Sequence, residues 1–181
     1  MTTVKNVVVS VLIIAGICTS IWILDYTSWK KSNATAVPPA PDYTAVIAVA
    51  KVFGQVEGCK KTDAGFIGMV AETAKAQGLS PALLASVVAV ESACDPLAIS
   101  SRGAVGLTQI RLAVWKDKYD FGGRDNPFNP ADNLRVGSTI LQELIKAKGV
   151  KGGVRAYQGT GKDCPTCDDK YTSKIFQLAS Q

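Results

Sequence analysis

A mainly α-helical domain behind one N-terminal apolar span is what this sequence predicts, and three observations predict it. Apolar residues recur at three- and four-residue spacings, as in Leu134, Gly137, Leu141 and Leu144, the period of a helix with one buried face. Start and stop signals punctuate those runs, above all Ser80-Pro81 and Asn129-Pro130. Residues 7–24 read VVVSVLIIAGICTSIWIL without a charge, and sustained two-residue alternation of the kind a sheet needs is scarce.

Taken in order, residues 1–6 form a short tail and residues 7–24 a span of about 27 Å as a helix, close to the apolar thickness of a bilayer. The run is longer than the apolar core of a typical signal peptide, and Ala34-Thr35-Ala36 offers a cleavage site only ten residues beyond it. An uncleaved signal anchor is the reading that fits, with a cleaved leader as the alternative. Lys5 lies before the span and Lys30 and Lys31 after it, so the positive charges do not choose an orientation. Residues 25–43 are a Pro/Ala/Ser linker, stiffened by Val37-Pro38-Pro39-Ala40-Pro41.

The folded domain is expected over residues 44–181, with its core at 59–178. Tyr43 to Val56 carries an amphipathic pattern. Phe66, Met69, Val70 and Ala74 mark a second helix that stops at Gly78. Ser80 as N-cap and Pro81 in the first turn then start a third helix, antiparallel to the second, which runs to Glu91. Asp95 to Ile110, rich in Gly, Ser and Ala, reads as loop with short strands. Asn126 to Pro130 is a turn, and a long helix follows it, ending around Lys146, Lys148 and Gly149. A short helix through Val154 to Tyr157 and a last one over Tyr171 to Leu178 complete the chain.

Glu91 is the residue with chemistry in it. Three, four and seven positions back stand Val88, Val87 and Leu84, so its carboxyl shares the face that carries apolar residues. Pro96 disfavours helix at Asp95, which puts Glu91 in the last turn, where exposed carbonyls oppose a negative charge. Burial and dipole together favour the protonated form, the state a general acid needs. The plain alternative is a helix-end acid turned into water or paired with Arg102.

Composition removes several other classes. The chain has no histidine, which excludes Ser-His and Cys-His catalysis and most zinc sites. The glycines between Gly149 and Gly161 follow a helix, so they make no phosphate-binding fingerprint, and no cofactor or metal is expected. Net charge is +5 for the chain, or +4 once Lys5, Lys30, Lys31, Asp25 and Asp42 are set aside. That suits an anionic polymer or membrane surface, and it is too weak and scattered for nucleic acid.

Four landmarks fall in order: Glu91-Ser92, Gly106-Leu107-Thr108-Gln109, Ala156-Tyr157-Gln158-Gly159, and Tyr171 with Ile175. With Asp95 to Ser100, and Asn129-Pro130 leading into Asn133, Gly137 and Leu141, they resemble the lytic transglycosylases of the soluble, goose-lysozyme-like type over roughly Cys59 to Leu178. The resemblance implies an α+β lysozyme-like fold acting on peptidoglycan glycan strands. Glu91 would protonate the bond between N-acetylmuramic acid and N-acetylglucosamine, then accept the proton of the sugar's own 6-hydroxyl as a 1,6-anhydro ring closes. The same resemblance makes Ser92, Ser100, Gly106, Gln109, Tyr157, Gln158 and Tyr171 substrate-site positions. Ser92 steadies the site, Gln109 and the Gly106 backbone contact glycan, and Tyr157 is the hydrogen-bond partner of Glu91. The chain departs from the family pattern at Thr108, where Met is usual, and at Gln158, where Asn is usual. Simpler roles stand beside these: a helix-end serine, a core tyrosine, a solvated glutamine.

No second carboxylate stands in the matching motifs, although Asp95, Asp120, Asp125 and Asp132 remain available to the fold. A substrate outside the cytoplasmic membrane implies a single-pass inner-membrane protein with its domain in the periplasm and residues 1–6 inside, or a virion membrane protein if phage-encoded. In that oxidising compartment Cys59, Cys94, Cys164 and Cys167 are expected to pair. The antiparallel second and third helices bring Cys59 beside Cys94, which leaves Cys164 with Cys167. Partners implied are glycan strands, the inner membrane, and a secretion, conjugation or phage apparatus. A hydrolytic lysozyme and a peptidoglycan-binding scaffold module are the rival readings.

Overall fold

Three helices start at side chains that close their first turn. In the computed structural model, which describes residues 43–120, 125–159 and 167–181, Asp63 accepts from the Phe66 N–H at 2.7 Å and Ser80 from the Leu83 N–H at 3.4 Å. Asn129 accepts from the N–H groups of Ala131 and Asp132 at 3.0 and 3.1 Å. Each oxygen satisfies a donor that the helix itself cannot.

The elements are α1 (Tyr43–Phe53), a 3-10 turn (Glu57–Cys59), α2 (Ala64–Ala76), α3 (Pro81–Ser92), β1 (Ala104–Val105), β2 (Ile110–Arg111), α4 (Leu112–Trp115), α5 (Pro130–Tyr157) and α6 (Cys167–Ala179). The fold is therefore mainly helical, and the two short strands pair antiparallel, Ala104 with Arg111 and Val105 with Ile110. α1 begins one residue before the expected domain start, and α6 begins four residues before Tyr171. The four residues of α4 are too short a stretch to show a period, and the sequence reading has no helix there.

α3 is the central element, packed against α1, α2 and α6. Every residue from Leu83 to Ala89 is buried, so this helix is interior all round and the stripe through Leu84, Val87 and Val88 is not its only buried face. The core around it takes Val49, Val52 and Phe53 from α1, Val70 and Ala74 from α2, and Ile175 from α6. Phe53 and Phe66 stack with ring centroids 5.8 Å apart. Met69, expected on the buried stripe of α2, is 36% exposed; Ala71 takes an inward position instead. A smaller cluster joins Ile110 to Val136 and Ile140, and Tyr157 packs on both clusters.

α5 is two helical stretches separated at Gly149, whose φ of 71° and ψ of 169° leave helical space. That conformation is cheap only without a Cβ. The expected stop near Gly149 and the short helix behind it are both present.

Cys59 and Cys94 form a disulfide, Cα atoms 5.1 Å apart, closing a separation of 35 residues. In the chain-entropy account such a loop is worth about 3–4 kcal/mol. Among the described residues no helix is long and apolar enough to cross a membrane. The run at 7–24, the linker up to residue 42 and the Cys164 with Cys167 pairing lie outside what the structure describes.

Candidate active site

Glu91 sits in the last turn of α3, and the chain leaves the helix there abruptly. Ala93 and Cys94 both take left-handed backbone, with φ of 50° and 67°, and the disulfide ties that exit to the start of the domain. The Glu91 carboxyl is pushed up from 4.5 to about 7, chiefly because burial penalises its charged form. A hydrogen bond pulls the other way: the Tyr171 hydroxyl donates to Glu91 Oε1 at 2.6 Å. Tyr171 is itself raised by burial, then by the charge of Glu91 and by that bond, so it stays a donor at every relevant pH. Among the described residues no other carboxylate enters the causes that set Glu91.

A loop stapled to α5 forms the neighbouring wall. Asn133 is 1% exposed and uses its whole amide. Nδ2 donates to the carbonyls of Val105 and Pro127 at 3.1 and 2.7 Å, and Oδ1 accepts from the Thr108 N–H and hydroxyl at 2.9 and 2.7 Å. Thr108 in turn accepts the Tyr157 hydroxyl at its carbonyl, at 2.9 Å. Tyr157 is raised by burial and then by the charge of Glu91, which marks it as a near neighbour of the acid. Its hydroxyl nevertheless faces Thr108. The hydrogen-bond partner of Glu91 is Tyr171 and not Tyr157, because α6 packs against α3 and delivers its tyrosine to the carboxyl.

The other expected positions divide by what they bond. Ser92 Oγ donates to the Val88 carbonyl at 3.0 Å, a helix-end role. Ser100 Oγ accepts from the N–H groups of Arg102 and Ala104 at 3.3 and 2.9 Å and so shapes the turn into β1. Gln109, at φ 51°, donates through Nε2 to the carbonyls of Ala98 and Gly106 at 3.1 and 3.0 Å. Gly106 is buried at φ 74°, and a Cβ there would lie 2.1 Å from Asn133 Nδ2. Its N–H goes to Ala98 and its carbonyl to Gln109. Both backbone groups of Gly106 thus have internal partners, and glycine is required here because α5 comes so close. Gln158 has a buried Oε1 with no hydrogen-bond partner among the described residues. Among the described residues no group of three or more His, Cys, Asp or Glu could hold a metal ion.

The site is thus one half-buried acid, neutral or ionised with equal ease near pH 7, fixed by one phenol and bordered by a rigid loop. Residues 68–172 match the family described as the transglycosylase SLT domain, a stretch that takes in Glu91, Gln109, Asn133, Tyr157 and Tyr171.

The chain belongs to the transglycosylase SLT domain family.

Individual relatives agree. Over 86 residues the chain is 29% identical to a membrane-bound lytic murein transglycosylase C of Salmonella typhimurium, covering 44% of this chain and 24% of that protein. Over 82 residues it is 36% identical to a transglycosylase of Enterobacteria phage PRD1, covering 45% of this chain and 29% of that one. The matched stretch thus spans about a quarter of these curated relatives.

Two features of this SLT domain escaped the sequence reading. Asn133 was visible only as a landmark, since nothing in a sequence says that a helix asparagine will spend three of its four hydrogen bonds on a distant loop. Tyr171 was placed at the site without its role. Tyr171→Phe tests that role. Removing a donor to the carboxylate is expected to move the alkaline limb of the pH–rate profile above about 7 and to lower the rate at the optimum about tenfold. An unmoved or lowered limb would show that Tyr171 does not hold the acid.

Proposed function

We propose that this SLT domain is a peptidoglycan lytic transglycosylase, cleaving the β-1,4 bond between N-acetylmuramic acid and N-acetylglucosamine without water. The observation that carries the reading is the single carboxyl at about 7, hydrogen-bonded by Tyr171, with no second carboxylate in its described surroundings. A hydrolase of the two-carboxylate kind needs a base or nucleophile across the sugar from its acid. Here Glu91 has to serve twice.

The protonated Glu91 gives its proton to the glycosidic oxygen as the bond to C1 of muramic acid breaks, and the N-acetylglucosamine leaves with that proton. The Glu91 carboxylate then takes the proton from the C6 hydroxyl of the same muramic acid, whose oxygen closes on C1. The ring forms, the acid is restored, and no water is consumed. A hydroxyl held on the reacting sugar has an advantage over bulk water of roughly 7–11 kcal/mol when well oriented.

Mass spectrometry of muropeptides released from purified sacculi tests this. Chains ending in 1,6-anhydro-N-acetylmuramic acid, one water lighter than hydrolytic products, are expected to dominate; mainly reducing ends would make the enzyme a lysozyme. The same reading places residues 7–24 in the inner membrane, 25–43 as a linker and residues 44–181 in the periplasm. A reporter fused after Gln181 should work only on the periplasmic side, and cytoplasmic activity alone would overturn that topology.

A further inference from the structure

The two stretches of α5 fold tightly against each other at their break. A Cβ on Gly153 would lie 2.6 Å from the backbone of Ile145, and one on Gly152 would lie 3.0 Å from Lys148 Cβ. That approach forces the intervening chain outward. Lys146, Ala147, Lys148, Gly149, Val150 and Lys151 are all exposed, while Leu141 before them and Val154 after them are buried.

The resulting knuckle carries charge of one sign. No Asp or Glu occurs in the chain between Glu143 and Asp163, and Glu143 is held by Lys118. Among the described residues none of the three knuckle lysines makes an ion pair. Val150 stands between them, 50% exposed.

These features select a partner. Lysine binds phosphate as a point charge and lacks the planar fork that recognises a carboxylate in one fixed geometry. A half-exposed valine finds no apolar partner in a hydrated polysaccharide. At a lipid surface it reaches the acyl boundary while the lysine stems lie along the headgroups. Three lysines attract anionic lipid only weakly. A tether changes the balance, because a short flexible linker holds a domain near its surface at an effective concentration of about millimolar. In the proposed topology residues 25–43 are that linker.

We infer that the knuckle at residues 146–151 docks the domain on the anionic phospholipid surface of the membrane that anchors it, with the lysines on lipid phosphates and Val150 at the acyl boundary. The inference goes beyond the proposed reaction and rests on the proposed anchoring. Docking also sets the height of the cleft above the lipid, since the second stretch of α5 carries the knuckle at one end and Tyr157 at the other, a rise of about 9 Å from Lys151.

The full-length Glu91→Gln chain in lipid nanodiscs tests this without turnover. Reductive methylation, mapped by mass spectrometry, would be followed at each lysine in discs of phosphatidylcholine alone and in discs rich in phosphatidylglycerol. Expected is labelling of Lys146, Lys148 and Lys151 about threefold slower on the anionic discs, restored by about 0.5 M salt, with exposed Lys75 and Lys174 unchanged. The double variant Lys148→Glu, Lys151→Glu should lose the protection at Lys146, and Val150→Asp should lose most of it at all three lysines. Equal labelling on the two lipids, equal slowing of Lys75 and Lys174, or protection that survives the charge reversal would overturn the inference. So would protection that appears only when sacculi are added to the phosphatidylcholine discs, which would give the patch to the wall polymer. Failure of the anchoring would show separately, as a chain that high salt strips from both kinds of disc.

Discussion

Glu91→Gln is expected to leave about one-thousandth or less of wild-type turnover on sacculi, because an amide can neither give a proton to the glycosidic oxygen nor recover one from the 6-hydroxyl. The variant should also be more stable than the wild type in alkaline buffer. The folded carboxyl titrates at about 7 and the free one at 4.5. Between those values the folded state keeps a proton that the unfolded state has lost, so wild-type stability falls as pH rises from about 4.5 to about 7. At 1.36 kcal/mol per unit, the full loss is about 3 kcal/mol. Gln has nothing to ionise there. Thermal unfolding at pH 4 and pH 8 should therefore show the variant's advantage only at pH 8, which also proves that inactivity is not misfolding. Undiminished turnover would remove the mechanism, and a variant less stable than wild type at pH 8 would mean that Glu91 is not held near neutrality.

Asn133→Ala should be the most damaging substitution away from the acid. It strands the Thr108 N–H and the carbonyls of Val105 and Pro127, each buried group costing about 1–3 kcal/mol when left without a partner. A drop of about 3–5 kcal/mol in unfolding free energy is expected, read from the denaturant midpoint. Thr108 also anchors Tyr157, so turnover should fall in the molecules that remain folded. A loss under about 1 kcal/mol would show that water or a rotated neighbour takes over the amide's role.

The parts of this molecule that were legible in its sequence are those fixed by neighbours in the chain. Ser80 and Asn129 cap helices through contacts two or three residues away, and Gly149 breaks one through its own φ. Glu91 could be placed at a helix end for the same reason. The pairing of Cys59 with Cys94 followed from two adjacent antiparallel helices. What was not legible depends on distant approach. Choosing between Tyr157 and Tyr171 as the partner of Glu91 requires knowing how α6 crosses α3, and both tyrosines fit a motif equally well. Met69 looked inward by period alone, yet α2 turns that position out. That Gly106 has to be glycine because Asn133 lies against it was likewise not visible in the sequence.

The hydrogen bond from Tyr171 to Glu91 spans 80 residues of chain, while the disulfide and the packing of α1, α2 and α3 join residues made close together in time. A ribosome therefore finishes the helix that carries the acid long before it makes the tyrosine that steadies it. Every incomplete chain ending before α6 has Glu91 without its phenol and Ile175 missing from the core. In the proposed mechanism the steadied acid thus arrives only with the last helix, so a product of translation truncated before α6 is expected to cut weakly even when its first half has folded.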